Sequence, residues 1–378
     1  MPDVYKISSR WVSEVKAVAW GSVPSIDTGS IDDSLDSWNE FSYLLRSSTD
    51  TGEAYSSTMV STYSLIHTVA NAYSGGVLSS SGEVHYVPRS ANVGQKISIN
   101  GTVSTYSLVY TTAGAYAGGV LAPNGDVHFS PSNAARGQKV NASGVVSTYS
   151  LTYTSTVTGI YAGGVISPSG EVHFIPRSGN RGQKVSLAGV VSTYSLAYTT
   201  TDAYFGGVLS ASGEIHFIPF SATVGQKISI DGVVSTYSLA YTTSTAYSGG
   251  VIDPNGDIHF VPYNAAVGQK ISKTGVVSTY SLSYTSSNAY VGGVLSSDGA
   301  IHFAPNSASV GQALLLTGST STYSLVYTTA NAYNGGVLTP DGTIHFIPFS
   351  ASVAQEIPVS SAIALSPAAC MSPYLNKL

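Results

Sequence analysis

Seven histidines recur along the chain at a nearly constant spacing, and imidazole is a side chain that can bind metals or transfer protons near neutral pH. No two of them lie within metal-ligand spacing, and the single cysteine, Cys370, forms no Cys/His cluster with them. We therefore interpret the histidine as a requirement of the fold, hydrogen-bonded to a neighbouring backbone or hydroxyl group, and predict no metal site. The seven are His85, His128, His173, His216, His259, His302 and His345.

An acidic residue follows a turn glycine in five of the seven copies, two positions before the histidine. Calcium loops need several oxygen ligands at fixed offsets. Only Asp253, Asn255 and Asp257 approach such a set. We interpret the five acids as solvated turn residues. They are Glu83, Asp126, Glu171, Glu214 and Asp257, with Ala300 and Thr343 in the other two copies.

Four arginines break the repetition, and all of them lie in the first three copies. Arg89 and Arg177 follow a proline where other copies have Ser, Phe, Tyr or Asn, and Arg136 and Arg181 stand where others have Val. One sector of the rim is therefore predicted to be basic, which suits an acidic glycan, a phosphate-bearing polymer or an acidic neighbour. Ordinary surface charge is the alternative.

An enzyme on a repeat scaffold needs an asymmetric set of catalytic groups, because one nucleophile or acid–base pair breaks the identity of the copies. The copies differ little, and no pair of carboxylates stands out. His67, where six copies have Tyr, reads as a substitution in a terminal copy rather than as a base. We therefore predict no enzymatic activity and no cofactor.

The elements that carry these residues come from one repeat. The pentapeptide Ser-Thr-Tyr-Ser-Leu occurs seven times, first at Ser61, and each copy continues with a Gly-Gly pair, the histidine and a glutamine. Each copy contains four short strands joined by turns such as Pro-Asn-Gly and Pro-Asp-Gly. Seven four-stranded units predict an all-β, seven-bladed β-propeller over residues 57–358. An open solenoid is the alternative.

We also predict the order of strands within a blade. The Gly-Gln-Lys strand is the most polar, and its lysines would guard an exposed sheet edge. It is therefore expected to be outermost, with the Ser-Thr-Tyr-Ser-Leu strand nearer the axis. The solvent exposure of Lys139, Lys184 and Lys227 tests this order against that of Ser107, Ser150 and Ser195.

The unit Tyr-x-Gly-Gly-Val-Leu-x-Pro-Asn/Asp-Gly-x-Ile-His-Phe-Ile-Pro resembles propeller-type repeats, and its glycine doublet is similar to that of kelch repeats. The clearest copies cover residues 247–262 and 333–348. The resemblance covers about 300 residues and implies a propeller fold, which by itself assigns no function. The hairpin lacks the spacing of a sialidase Asp-box, so no sialidase chemistry is implied.

Composition excludes several classes of protein. Charged residues make up 9% of the chain and the net charge is −5, which argues against binding to nucleic acid. No apolar run is long enough for a membrane span. A single cysteine excludes an internal disulfide framework, and the first residues lack the apolar core of a secretory signal.

The two ends differ from the repeats. Residues 1–56 hold all three tryptophans and carry nine acidic and four basic residues, a balance of −5. They read as a short mixed segment of strand and helix in which Trp11, Trp20, Trp38 and Phe41 anchor the chain to an assembly. Packing on the chain's own ring is the alternative. Residues 359–378 read as an irregular tail, in which 359–365 echo a repeat strand that could close the ring.

Together these features predict a non-enzymatic structural or attachment protein. We expect a virion component, such as a phage tail or capsid appendage, that is assembled in the host cytoplasm and displays the propeller for receptor binding. Its partners would be other virion proteins, through residues 1–56, and a host-surface glycan. A soluble multivalent lectin is the alternative.

Overall fold

The computed structural model describes residues 60–358, which form seven four-stranded antiparallel sheets. The all-β, seven-bladed propeller is confirmed. The predicted segments at residues 1–56 and 359–378 lie outside the described residues, and with them the anchoring role of Trp11, Trp20, Trp38 and Phe41. Among residues 60–358, no helix is long and apolar enough to cross a membrane.

The first strand, β1 (Ser61–Ser64), belongs to the last blade. The later strands fill the blades in chain order, four to each of the first six blades and three to the seventh. Blade 1 is β2 (Tyr73–Leu78), β3 (Val84–Pro88), β4 (Val93–Ile97) and β5 (Val103–Ser107), and blade 2 is β6 (Tyr116–Leu121), β7 (Val127–Pro131), β8 (Arg136–Val140) and β9 (Val146–Ser150). Blade 3 is β10 (Tyr161–Ile166), β11 (Val172–Pro176), β12 (Arg181–Val185) and β13 (Val191–Ser195), and blade 4 is β14 (Tyr204–Leu209), β15 (Ile215–Pro219), β16 (Val224–Ile228) and β17 (Val234–Ser238). Blade 5 is β18 (Tyr247–Ile252), β19 (Ile258–Pro262), β20 (Gly268–Ile271) and β21 (Val277–Tyr280), and blade 6 is β22 (Tyr290–Leu295), β23 (Ile301–Pro305), β24 (Val310–Leu314) and β25 (Thr320–Ser324). Blade 7 is β26 (Tyr333–Leu338), β27 (Thr343–Pro348) and β28 (Val353–Pro358), completed by β1.

The N-terminal strand closes the ring. Strand β1 pairs with β28 in antiparallel register, with Tyr63 opposite Ala354. The first strands of neighbouring blades contact one another all the way around, including β26 with β2, so these strands surround the axis. The closing strand therefore comes from before the first Gly-Gly pair, whereas residues 359–365, the predicted candidate, lie outside the described residues.

The predicted order of strands within a blade is wrong. Each blade begins with the Gly-Gly strand, the Gly-Gln-Lys strand is third, and the Ser-Thr-Tyr-Ser-Leu strand is outermost. Ser107 is exposed while Lys139 is only half-buried, with 31% of its side chain accessible. The lysine does not need an edge position because an acidic residue of the adjacent hairpin neutralises it. The outer strand instead turns its serine and threonine side chains to water.

The Gly-Gly pair sits where neighbouring blades meet. The first glycine has a positive φ at a bulge of the innermost strand, as at Gly118, whose added Cβ would lie 2.7 Å from the Cα of Gly163. The second glycine makes room for a side chain of the preceding blade. A Cβ on Gly207 would lie 2.7 Å from Cδ1 of Ile175. The doublet is therefore a packing requirement of the ring.

The repeated glutamine joins adjacent blades. Oε1 of Gln226, on the third strand of blade 4, accepts hydrogen bonds from the backbone N–H groups of Ala197 and Tyr198, at 2.9 and 2.7 Å. Those residues follow the outer strand of blade 3. Gln138 and Gln269 make the same pair of bonds to their preceding blades. The glutamine itself is fully buried, and its side-chain oxygen satisfies two backbone donors of the neighbouring blade.

Candidate active site at the axial mouth

Five of the seven histidines make the hydrogen bond that the sequence analysis predicted. In five blades, Nδ1 of the histidine lies within 3.4 Å of a tyrosine hydroxyl on the outer strand, as in the 3.0 Å pair of His128 and Tyr149. Burial lowers the pKa of His85, His128, His173, His216 and His302 to about 4. A buried imidazole of this kind is neutral at pH 7 and is tied to its own sheet.

The acids after the hairpin glycine are not simply solvated, because each one binds the lysine of the third strand. The five lysine–carboxylate distances lie between 2.6 and 2.9 Å. The two copies without the acid also lack the lysine: Ala300 goes with Ala313, and Thr343 with Glu356. The acid and the lysine are therefore either both present in a copy or both absent from it, as expected for an ion pair.

Three potential metal ligands come together at Asp253, Asp257 and His259. The structure explains them without an ion. Oδ1 of Asp253 accepts hydrogen bonds from the backbone N–H groups of Asn255 and Asp257, and Asp257 pairs with Lys270 at 2.9 Å. The lysine ammonium already supplies the positive charge that a cation would bring.

A different set of residues meets at the axis, where the inner strands begin. It consists of the residue after the proline that ends the second strand of each blade, and we call this set the axial mouth. The carbonyl of each one accepts a hydrogen bond from the residue just before the inner strand of the next blade, as in Ala115 N–H to Arg89, at 2.6 Å. The set is Arg89, Ser132, Arg177, Phe220, Tyr263, Asn306 and Phe349.

This position differs in almost every blade, although the surrounding repeat hardly varies. One side of the mouth is aromatic: the rings of Phe220 and Tyr263 are 5.5 Å apart, and Phe205 of the inner strand lies 5.8 Å from Phe220. The guanidinium of Arg177 lies over both phenylalanines, 5.6 Å from Phe205 and 5.8 Å from Phe220. The repeat therefore carries an asymmetric, chemically mixed site at its centre.

The two arginines of the mouth have different surroundings. Arg177 Nε donates to Oδ1 of Asp202 at 2.7 Å. Arg89 lies 5.4 Å from the ring centre of Phe349, and no carboxylate among residues 60–358 is within ion-pair distance of it. Burial, together with the charge of Arg177, lowers the pKa of Arg89. Only the small Ser132 separates the two arginine positions around the ring.

The four arginines named from the sequence thus fall into two groups. Arg89 and Arg177 belong to the mouth, whereas Arg136 and Arg181 are exposed at the start of third strands and share no contact with it. His67 also lies elsewhere, with its ring 6.0 Å from that of Tyr73, where other blades have a Tyr–Tyr contact. The sequence analysis did not identify Phe220, Tyr263 and Asp202 as site residues. The signal was available, because the residue after the proline changes its chemical type from copy to copy, from arginine to aromatic to small polar.

Residues 48–313 match the Virginiamycin B lyase family over most of the chain. The chain belongs to this family. A search of curated proteins finds no match. Among solved structures, a streptogramin B lyase is 19% identical with a TM-score of 0.68, over 80% of this chain and 97% of that one.

Two further structures are similar. A catalytically inactive histidine-to-alanine variant of virginiamycin B lyase from Staphylococcus aureus, solved with quinupristin, is 18% identical with a TM-score of 0.69, over 80% of this chain and 99% of that one. Hydrazine synthase of Kuenenia stuttgartiensis is 11% identical with a TM-score of 0.58, over 78% and 97%. At these identities the likeness concerns the fold.

Membership in a lyase family corrects two predictions. The expectation of a non-enzymatic virion attachment protein is wrong, and so is the conclusion that the chain is no enzyme. Neither a phage origin nor a lectin finds support among the relatives. The symmetry argument failed because it weighed the whole repeat, while an asymmetric site needs only one position that varies from blade to blade and meets its equivalents at the axis.

Proposed function

We propose that the protein is a lyase that binds a small organic substrate at the axial mouth. The family supports the type of reaction. The location rests on one observation, which is that seven equivalent positions carry two arginines, three aromatic residues and two small polar residues around one axis. Ligand sites in proteins are typically concave and mainly apolar, with a few polar groups that orient the ligand.

The chemistry of the mouth suits an elimination. In such an elimination, a base accepts the proton next to a carbonyl group, and negative charge develops on the carbonyl oxygen. A carbon–carbon double bond then forms as the leaving group departs with the electron pair of its bond. Fixed donors aimed at that oxygen stabilise the charge more in the transition state than in the ground state. The guanidinium of Arg89 can supply such donors, and the aromatic side of Phe205 and Tyr263 can hold an apolar part of the substrate.

This assignment gives no catalytic role to a histidine, whereas the Staphylococcus aureus enzyme is inactive when one histidine is replaced by alanine. Here five of the seven repeated imidazoles are hydrogen-bonded to a tyrosine of their own blade, and none of the seven mouth positions is a histidine. We therefore assign charge stabilisation to the two arginines of the mouth.

The test is an assay of the purified full chain with quinupristin, the compound bound by a solved relative. We expect quinupristin to be consumed, with no oxygen from labelled water in the product, since elimination adds no water. Arg89→Gln should lower kcat/KM by about tenfold or more, given a loss of one charged hydrogen bond. Arg136→Gln, the matched control on an exposed strand, should keep wild-type activity. Unchanged quinupristin, or full activity of Arg89→Gln, would refute the proposal.

A further inference from the structure

The charge balance of the axial mouth points beyond the type of reaction to the kind of ligand. Arg89 and Arg177 are both positive at neutral pH, and Asp202 neutralises one of them through its 2.7 Å bond to Arg177. Among residues 60–358, no other carboxylate pairs with either arginine. Within this part of the chain, the mouth therefore has one positive charge that no carboxylate pairs with, and it lies on Arg89.

The position of Arg89 makes that charge unusual. A surface arginine normally extends its guanidinium into water, whereas this one is partly withdrawn against Phe349, and burial lowers its pKa. Withdrawing a cation from water without an acidic partner costs free energy, and such sites are commonly completed by a bound anion. The guanidinium edge presents paired N–H donors that match a carboxylate.

The side chains of the two arginines contact residues of different blades. Arg89 contacts Phe349 of blade 7, while Arg177 contacts Phe220 of blade 4 and Asp202. The blade between them contributes only Ser132 to the mouth, and it carries neither charge nor bulk. A planar anionic group can therefore approach Arg89 without meeting another side chain of comparable size from that blade.

An aromatic side chain stands beside this charge, since the ring centre of Phe349 lies 5.4 Å from the guanidinium of Arg89. Phe349 is only partly buried, and so are Phe205 and Tyr263, which lie with Arg177 and Phe220 on another part of the mouth. Rings of this kind bind flat apolar groups. The combination of one positive charge with accessible aromatic surface describes a ligand that is both aromatic and singly charged.

We propose that the axial mouth is a binding site for a small aromatic monocarboxylate, whose carboxylate binds Arg89 and whose ring packs against Phe349. This names a ligand class for the same site and rests on the proposed function only for its catalytic meaning. Binding itself does not depend on turnover. A doubly charged phosphate would leave one negative charge unbalanced, and for that reason we favour the carboxylate.

The experiment measures binding of two matched probes to the full chain by ligand-observed NMR titration. Phenylacetate and phenylacetamide have nearly the same shape and differ in charge. We expect phenylacetate to bind at least tenfold more tightly, with an affinity that falls as salt is raised. Equal binding of the two probes, or no binding of phenylacetate, would overturn the proposal. Phenyl phosphate should bind no more tightly than phenylacetate, and a tenfold preference for it would overturn the assignment to a monocarboxylate.

Variants locate the site. Arg89→Gln should raise the Kd of phenylacetate at least tenfold, and Arg89→Lys should fall between it and the wild type, because lysine keeps the charge and loses the paired donors. Arg136→Gln is the control and should not change the Kd. Far-UV circular dichroism checks that each variant is folded. If phenylacetate binds through Arg89 while quinupristin is not consumed, the anion site stands and the proposed lyase activity fails. If quinupristin is consumed and phenylacetate does not bind, the lyase activity stands and the anion site at Arg89 fails.

Discussion

Acid should unfold the propeller through its buried histidines. Five of them have a pKa of about 4 in the folded protein against 6.5 in an exposed peptide, because burial disfavours the charged imidazole. The neutral form is the one that the fold stabilises. The unfolded chain takes up protons as the pH falls below 6.5, while the folded chain does not until about pH 4. Stability is therefore present above pH 6.5 and is lost between 6.5 and 4.

The magnitude follows from the same two values. At pH 5, each of these histidines favours the unfolded state by about 2 kcal/mol, so five of them remove about 10 kcal/mol. That is comparable to the whole stability of a typical folded domain, about 5–15 kcal/mol. At pH 5.5, unfolding should take up about four protons, which gives a slope of about 6 kcal/mol per pH unit.

The assay is urea unfolding followed by far-UV circular dichroism between pH 7.5 and 5, with the slope of the unfolding free energy against pH as the readout. His128→Gln should reduce proton uptake by about one. Tyr149→Phe is the control, since it removes the hydrogen-bond partner and leaves the imidazole in place, so it should lower stability without changing the slope. A slope near pH 5.5 that corresponds to fewer than about two protons would refute the reasoning. The carboxylates with lowered pKa, such as Glu214, lose their contribution only at lower pH and do not mask this result.

Three packing predictions accompany the acid prediction. Gly207→Ala should cost about 1–3 kcal/mol in urea unfolding, because its Cβ would enter space held by an isoleucine of the preceding blade; Gly189→Ala, with nothing within 4 Å, should cost only the strain of its positive φ, about 1 kcal/mol. Gln226→Ala should cost about 2 kcal/mol or more, because two backbone N–H donors lose their acceptor, and a loss below half that value would contradict the inter-blade role. Glu214→Ala and Lys227→Ala should each destabilise the fold, and the double variant should cost less than their sum, as the natural Ala–Ala copy suggests. Strict additivity would mean that the pair does not act as a unit.

Much of the architecture could be read from the repeat because it is local. Four strands and two tight turns within each copy follow from period-two patterning and from turn residues such as Asn255-Gly256. Seven copies then required seven blades. The role of the repeated histidine could also be predicted, since a buried polar group needs a partner on its own sheet, and Tyr149 supplies it for His128.

The order of strands within a blade could not be obtained in this way. In a tandem repeat, the Ser-Thr-Tyr-Ser-Leu strand follows one blade and precedes the next, so the sequence reads the same whichever blade it joins. Only hydrogen bonding decides, and it places β5 beside β4 and β1 beside β28. The lysine that suggested an outer edge is neutralised by the hairpin acid, a pairing between strands that a pattern along one strand does not contain.

By itself, the sequence determined the seven-fold repeat and the all-β blades, because these depend on patterns within one copy of about 43 residues. Only the tertiary structure decided which varying positions meet. Arg89 and Phe349 are 260 positions apart and stand 5.4 Å from guanidinium to ring, since closing the ring brings blades 7 and 1 together. Arg136, equally irregular in sequence, lies on an exposed strand. A circular arrangement places one position of every copy at the axis, and that geometry makes a single site from residues that the chain keeps apart.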